Sequence, residues 1–169
     1  AKFPLAMNVL ASDKRIELAL GKHPDQLGEE LITFMEDAMP PNPKVFFKHP
    51  GTTRRIISAI PRTTFRSTSQ EVVSQPNLDD LPVITSWPDD GGPFITLPQV
   101  FTYDPRDGKR NLGMYRMQVF DNQTTGMHWQ IQKGGGFHFY QAKKMGKDFK
   151  IAVALGTDPA LLLATVAAL

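Results

Sequence analysis

Two neighbouring segments near the middle of the chain alternate between apolar and polar residues. The alternation runs through residues 115–119 and again through residues 127–132. A period of two is typical of strands that bury one face, so the polar loop between the segments predicts a hairpin. A register with Arg116 opposite Gln130 keeps the two faces separate. The polar face then comprises Arg116, Gln118, His128, Gln130 and Gln132.

The first half of the chain has mainly helical spacing. Apolar periodicity predicts one helix over 12–21, capped by Ser12 or Asp13, and a second from Asp25 to the Pro40–Pro41 pair. The second helix carries an apolar stripe made of Leu27, Leu31, Met35 and Ala38. The other elements predicted here are a buried strand over 3–10, a helix at about 52–59 and strands near 63–73.

The second half of the chain has the pattern of strands. Short apolar runs bounded by turn residues predict these strands. An Asp-Gly pair at 107–108 favours a hairpin loop. We interpret 137–148 as a polar linker, followed by a buried strand and a helix that Thr157 or Asp158 can cap. The predicted strands are 82–87, 94–103, 111–120, 127–132 and 149–156.

Composition narrows the class of protein. The 169 residues suit a single domain, 1–169, with an α/β lead-in over 1–79, and the apolar ends suggest a fragment of a longer chain. The chain has no cysteine, which excludes disulfides, thiolate zinc sites and a cysteine nucleophile. Its net charge is +2, without a long basic run, so we expect no nucleic-acid partner. No apolar stretch reaches the roughly 20 residues of a membrane span, and we expect a cytoplasmic protein.

The polar hairpin face allows two interpretations. In the predicted register Gln118 also lies opposite His128, and such a face suits either a half-exposed sheet or a ligand surface. Gly113 and the run Gly134–Gly136 flank it, and glycines let a ligand approach the backbone closely. A separate group of arginines could bind phosphate or form a solvated, salt-bridged surface. That group is Arg54, Arg55, Arg62 and Arg66.

Residues 81–135 and 151–169 carry several motifs in a familiar order. They include LPVITSWP, NLGMYR, GMHWQIQKGG and IAVALGTDPA. In this the chain resembles the UbiD family of decarboxylases. The resemblance implies non-oxidative loss of CO₂ from an aromatic or α,β-unsaturated acid, such as a hydroxybenzoate-type quinone precursor. It also implies prenylated FMN and Mn²⁺ or Mg²⁺ as cofactors. The implied fold is α+β, a flavin-reductase-like split β-barrel over 80–169 with flanking helices.

The resemblance also implies roles for individual residues. Asn111, which opens the NLGMYR motif, would be a metal ligand, and Arg116 would lie beside the substrate carboxylate. Amide oxygen suits a hard cation, and a guanidinium can form a fork to a carboxylate. Without the motif, Asn111 would be interpreted as a turn residue, Arg116 as a surface salt bridge and Lys133 as a solvated lysine. The positions matching cofactor-lining segments are Met114, Tyr115, Arg116, His128, Trp129, Gln130, Lys133 and Gly134.

One family feature has no match in the sequence. The family's metal-binding glutamate and its catalytic glutamate pair follow the strand–DPA–helix unit, and no acidic residue here corresponds to them. We therefore expect the chain alone to be inactive. The apolar ends suggest partner surface, and we expect the parent protein to be a homo-oligomer. Two other functions stay open: an FMN-binding split-barrel reductase or oxidase, and a non-catalytic flavin-binding module.

Overall fold

The fold is described from a computed structural model that covers residue 4, residues 6–60 and residues 62–166. The chain divides into two compact units, Ala1–Val73 and Ser74–Leu169. The first unit is helical within these ranges, and the second combines helices with two small sheets.

Four helices form the first unit: α1 (Asp13–Leu20), α2 (Pro24–Ala38), α3 (Val45–Lys48) and α4 (Pro50–Ser58). The predicted helix over 12–21 is confirmed. Ser12 caps it by accepting the backbone N–H of Arg15, and Gly21 ends it at φ 75°. The second helix begins slightly earlier than predicted, because His23 caps it and Pro24 fills its first position.

Two predictions for the first unit were wrong. Positions 4 and 6–10 lie in coil and turn rather than in a strand, while residues 3 and 5 lie outside the described residues. The region 63–73 contains a short 3-10 turn, Thr68–Gln70, instead of strands. The stripe of α2 is not buried, since Leu31 is 48% exposed and Met35 61% exposed. Apolar side chains of the region 63–73 are exposed, among them Phe65 at 103% and Val72 at 85%, so the apolar pattern there is not matched by burial within the described residues.

Within residues 74–166, six strands and two α-helices form the second unit. The strands make two antiparallel three-stranded sheets, ordered β1-β4-β5 and β3-β2-β6. The α+β class is thus confirmed, but the strands at 62–166 do not close into the barrel we expected. The elements are β1 (Phe94–Ile95), β2 (Gln99–Tyr103), β3 (Arg110–Met114), β4 (Met117–Val119), β5 (Thr125–Met127), α5 (Gly134–Lys144), β6 (Ala152–Ala154) and α6 (Pro159–Val166).

Two predicted long strands are each divided between the sheets. The segment 94–103 breaks at 96–98, where Pro98 supplies no N–H for a ladder, and β1 and β2 join different sheets. The predicted strand 111–120 breaks at Tyr115–Arg116, between β3 and β4. A strand that changes sheet keeps its alternation, so periodicity alone did not reveal the break.

The predicted hairpin exists, but its register is shifted by two residues. Gln118 pairs with Gly126 rather than with His128. The ring of Phe120 packs over the new position, since a Cβ on Gly126 would lie 2.6 Å from it, and a larger residue there would displace this exposed ring. After Met127 the chain leaves the sheet, so the predicted strand 127–132 ends where it was expected to begin.

Helix α5 replaces the polar linker that we expected over 137–148. It packs on β2 and β3 and contributes the buried residues Gly135, Gly136, His138 and Ala142. The core beneath it includes Val100 and Thr102, both 0% exposed. Across residues 6–60 and 62–166, no helix has the length and apolar character needed to cross a membrane.

Candidate functional site

Asn111 lies on the face of the β2–β3 ladder that α5 covers. It is the cross-strand partner of Thr102, and one step along the same face Gly113 pairs with Val100. Directly opposite residues of an antiparallel pair share a side of the sheet. The Asp-Gly hairpin with Gly108 at φ 75° therefore fixes which residue stands beside Asn111.

The amide group of Asn111 lies between the sheet and the start of α5. Its Nδ2 donates a 3.4 Å hydrogen bond to the Thr102 hydroxyl. Its Oδ1 lies against Gly134, so close that a Cβ at Gly134 would overlap it. A side chain at the first residue of α5 would thus displace the Asn111 amide, whose oxygen lies beside the helix N-terminus.

A buried polar chain continues from Thr102 to the far end of the hairpin. The Thr102 hydroxyl lies 3.0 Å from His138 Nδ1, and His138 Nε2 lies 3.9 Å from Asp104 Oδ2. Asp104 accepts bonds from the side chain of Arg106 at 2.7 and 3.0 Å and from its backbone N–H at 2.9 Å. The Arg106 guanidinium holds the pKa of the Asp104 carboxyl well below its usual range.

Tyr115 attaches the start of α5 to the sheet. Its hydroxyl accepts the Gly135 N–H at 2.8 Å, and its ring occupies the space over Gly113, where a Cβ would be 2.5 Å away. Trp129 packs on the Tyr115 ring with centroids 5.0 Å apart, and stacks on Phe139 of α5 at 5.7 Å. Both aromatic residues therefore hold α5 in position.

Arg116 and Gln118 face a different part of the second unit. Arg116 Nη1 lies 3.6 Å from Asp90 Oδ1, and the guanidinium carbon lies 4.5 Å from the centre of the Phe94 ring. The side chain of Gln118 donates to the carbonyl of Gly91. These polar residues therefore contact the 89–92 turn rather than forming one surface with the downstream strand.

The remaining predicted site residues lie at the end of β3, in the segment after β5 and at the start of α5. His128, Gln130, Lys133 and Gly134 are exposed, while Met114 is half-buried at the end of β3. The backbone N–H of His128 donates to the Arg116 carbonyl at 3.1 Å, and Lys133 immediately precedes α5. Asn111 and Gly134 are thus in contact, whereas Arg116 is engaged elsewhere.

The site offers one ligand to a hard metal ion. An amide oxygen is a suitable donor, and the glycine-rich first turn of α5 is the kind of backbone that binds phosphate. Within residues 4, 6–60 and 62–166 no group of three His, Asp or Glu side chains could hold a metal. The donors present therefore fit one side of a metal–phosphate site.

Sequence reasoning missed three residues of this site: Thr102, Asp104 and His138. Thr102 had no usable signal, because it lies five residues before Asp107 whereas Asn111 lies three residues after Gly108, so a two-residue turn at the Asp-Gly pair would not make them partners. His138 had none either, since its position depends on a helix that was interpreted as a linker.

The Asn111 site lies within a region that matches a known protein family. The UbiD family, described as the 3-octaprenyl-4-hydroxybenzoate carboxy-lyase Rift-related domain, matches residues 62–169. The chain belongs to the UbiD family. The expected membership is thereby confirmed, and the matched region contains every residue of the Asn111 site.

Similar UbiD relatives are longer than this chain. An uncharacterized protein of Archaeoglobus fulgidus is 44% identical over 98% of this chain and 34% of its own length. A 4-hydroxybenzoate decarboxylase subunit of Chlamydia pneumoniae is 37% identical over 100% of this chain and 29% of its own length. The chain thus spans about a third of the length of the curated relatives it matches.

A solved structure has a similar fold. The closed form of the vanillic acid decarboxylase of Sedimentibacter hydroxybenzoicus aligns with a TM-score of 0.71 at 23% identity. The alignment covers 94% of this chain and 32% of that chain. At this identity the likeness concerns the fold.

Proposed function

We propose that this chain forms part of the cofactor site of a decarboxylase that removes CO₂ from an aromatic acid of the hydroxybenzoate type. Membership of the UbiD family supports the reaction class. The name of the Chlamydia pneumoniae relative, a 4-hydroxybenzoate decarboxylase subunit, supports the substrate class. Prenylated FMN and Mn²⁺ or Mg²⁺ are the cofactors we propose.

The observation that carries this proposal is the contact between Asn111 and Gly134. The amide oxygen of Asn111 lies beside the N-terminus of α5, where a side chain at position 134 would displace it. An amide oxygen would be a suitable ligand for a divalent cation, and the N–H groups at the start of a helix would be suitable donors to a phosphate. In this proposal Asn111 holds the metal, and Gly134 leaves room for the phosphate.

When bound, prenylated FMN would supply the electron sink for loss of CO₂. The residues of this chain would bind and orient. Met114, Tyr115, His128, Trp129 and Gln130 are proposed to line the cofactor, and Lys133 to neutralise phosphate charge.

Arg116 is proposed to hold the substrate carboxylate. Its guanidinium is half-exposed, with 52% of the side chain accessible, and it lies over the Phe94 ring. The substrate would compete with Asp90 for this cation. A planar fork of donors orients a carboxylate better than a lysine ammonium does. The Arg116→Lys variant should therefore lose turnover, although it keeps the positive charge.

The test is anaerobic titration of the full chain with prenylated FMN and Mn²⁺, followed by absorbance and the mass of retained cofactor. We expect Mn²⁺-dependent retention that Asn111→Ala removes. Asn122→Ala, an exposed asparagine in the β4–β5 loop, is the matched control and should retain cofactor.

The rival functions predict different results. Retention of plain FMN without metal, unchanged in Asn111→Ala, would favour a split-barrel reductase or oxidase. Metal-dependent retention without CO₂ release from 4-hydroxybenzoate or vanillate in the full-length protein would favour a non-catalytic flavin-binding module.

A further inference from the structure

Thr102, His138 and Asp104 form a buried chain that ends on the amide of Asn111. We propose that these three are positioning residues, which orient the Asn111 amide so that its oxygen, and not its nitrogen, faces the cation. The inference rests on the proposed role of Asn111. It concerns how the chain presents that ligand, and it assigns a function to three residues that lie outside the sequence motifs.

The side chains of these three residues are isolated from solvent. Thr102 is 0% exposed, Asp104 5% and His138 7%. Thr102 is the cross-strand partner of Asn111, and its hydroxyl lies within hydrogen-bond reach of both Asn111 Nδ2 at 3.4 Å and His138 Nδ1 at 3.0 Å. A buried hydroxyl between two polar neighbours is constrained to one donor and one acceptor role.

The polarity of the chain follows from its acidic end. Asp104 accepts hydrogen bonds from Arg106, and its Oδ2 lies 3.9 Å from His138 Nε2, where the negative charge favours the tautomer that carries the ring proton on Nε2. His138 Nδ1 is then an acceptor, and the Thr102 hydroxyl donates to it. The lone pairs of Thr102 remain to accept the Asn111 Nδ2–H.

This polarity matters because the two ends of an amide have the same shape. An asparagine that rotates by half a turn would direct NH₂ at the cation, and only the oxygen binds a hard metal. The acceptor at Thr102 selects the NH₂ end and leaves Oδ1 against Gly134. Loss of an outer partner of a metal ligand typically weakens metal binding by about 10–100-fold.

A second, partly buried hydroxyl in the same unit provides a control. Thr157 Oγ1 donates to Gln99 Oε1 at 2.7 Å, and Gln99 is 1% exposed. Thr157→Val therefore also removes a hydroxyl that is bonded to a buried polar side chain. It differs from Thr102→Val in having no contact with Asn111.

The experiment compares the full chain with Thr102→Val, Thr102→Ser and Thr157→Val. One readout is the side-chain amide of Asn111 by NMR, with hydrogen exchange of its two protons, measured without metal. The other is Mn²⁺ affinity in the presence of FMN, from the electron paramagnetic resonance signal of free Mn²⁺. Thermal unfolding of each variant separates stability from ligand orientation.

We expect one Asn111 amide proton to be protected from exchange in the unaltered chain and in Thr102→Ser, and to lose protection in Thr102→Val. Mn²⁺ affinity should fall by about 10-fold in Thr102→Val and less than about 2-fold in Thr157→Val, at similar losses of Tm. His138→Leu should reproduce the Thr102→Val effect, and His138→Asn should reverse part of it by restoring an acceptor.

Equal Mn²⁺ affinities in Thr102→Val and Thr157→Val would overturn the proposal. So would exchange of both Asn111 amide protons at the solvent rate in the unaltered chain, a result that stands even where a variant does not fold. Failure of the proposed function gives a different pattern, because Mn²⁺ affinity would then be unchanged in Asn111→Ala.

Discussion

The two sheets of the second unit place polar residues in opposite settings. In the β3-β2-β6 sheet, Asn111 and Thr102 are cross-strand partners beneath α5, and their side chains join a buried hydrogen-bonded chain. In the β1-β4-β5 sheet, Arg116 is half-exposed beside Asp90. The first setting fixes a side chain in one orientation, whereas the second leaves it free to change partners.

The comparison of the two sheets shows which polar residues the fold constrains. The alternating pattern of the hairpin predicts that Arg116 and Gln118 share one polar face with the downstream strand. In the fold, both side chains contact the 89–92 turn instead. The constrained residue is Asn111, whose amide oxygen lies against Gly134 of the neighbouring helix. The following variants test how far the two settings differ, in order of decreasing expected effect on stability.

Gly136→Ala should have the largest effect, because the new Cβ would overlap the carbonyl oxygen of Gln130. A backbone atom cannot move aside cheaply, so we expect a loss of about 3 kcal/mol in unfolding free energy. Urea unfolding followed by far-UV circular dichroism, which reports on the helices of both units, measures it. Gly28→Ala in α2 is the control: its Cβ meets nothing within 4 Å, so it should stabilise by about 0.5–1 kcal/mol.

Tyr115→Phe tests the attachment of α5 to the β2–β3 ladder. It removes the acceptor of the buried Gly135 N–H, which should cost about 1–3 kcal/mol. Urea unfolding gives the value, and amide exchange of Gly135 should rise with it. Tyr103→Phe removes the hydroxyl of a half-exposed tyrosine on β2 and should change little. An unchanged Gly135 exchange rate would contradict the proposed attachment.

Asp104→Asn should change the pH dependence of stability. The pKa of Asp104 is lowered on folding, mainly by Arg106. Its contribution to the free energy of unfolding is therefore complete above the unfolded pKa of about 3.9. That contribution is lost as pH falls from there through the folded pKa. The Tm difference between the unaltered chain and Asp104→Asn should therefore be constant from pH 7 to 5 and shrink below pH 4. Asp148→Asn, at an exposed position, is the control.

Arg116→Ala should have the smallest effect on stability, because it removes an exposed pair at 3.6 Å and one contact with the Phe94 ring. The expected loss is at most about 1 kcal/mol in unfolding free energy. If Arg116 binds the substrate carboxylate, CO₂ release by the full-length protein should fall far more than this stability loss explains. Equal, small losses in both assays would restrict Arg116 to a surface role.

Several local features could be predicted because they depend on neighbours in the chain. Helix α1 begins after Ser12 and ends at Gly21, and α6 begins where Asp158 accepts the Ala160 N–H at 2.8 Å. The β2–β3 hairpin forms at its Asp-Gly loop. In each case a cap or turn residue satisfies backbone groups within a few positions, so the sequence alone carries the information.

The site could be predicted only in part. Asn111 and Gly134 came from motifs, but Thr102 and His138 lie 9 and 27 residues from Asn111 in the sequence. Their proximity depends on strand register and on the packing of α5. Neither is encoded by local alternation, because a shift of two residues preserves every apolar face.

The sequence by itself thus determined the family, the α+β class, the caps and turns, and the identity of the proposed metal ligand. Only the tertiary structure decided that residues 94–103 and 110–120 divide between two sheets, and that a glycine-rich helix covers Asn111. The reason is physical. Caps and turns form through hydrogen bonds between residues that are close in the sequence. The orientation of a buried amide depends instead on which side chains, distant in the sequence, pack around it.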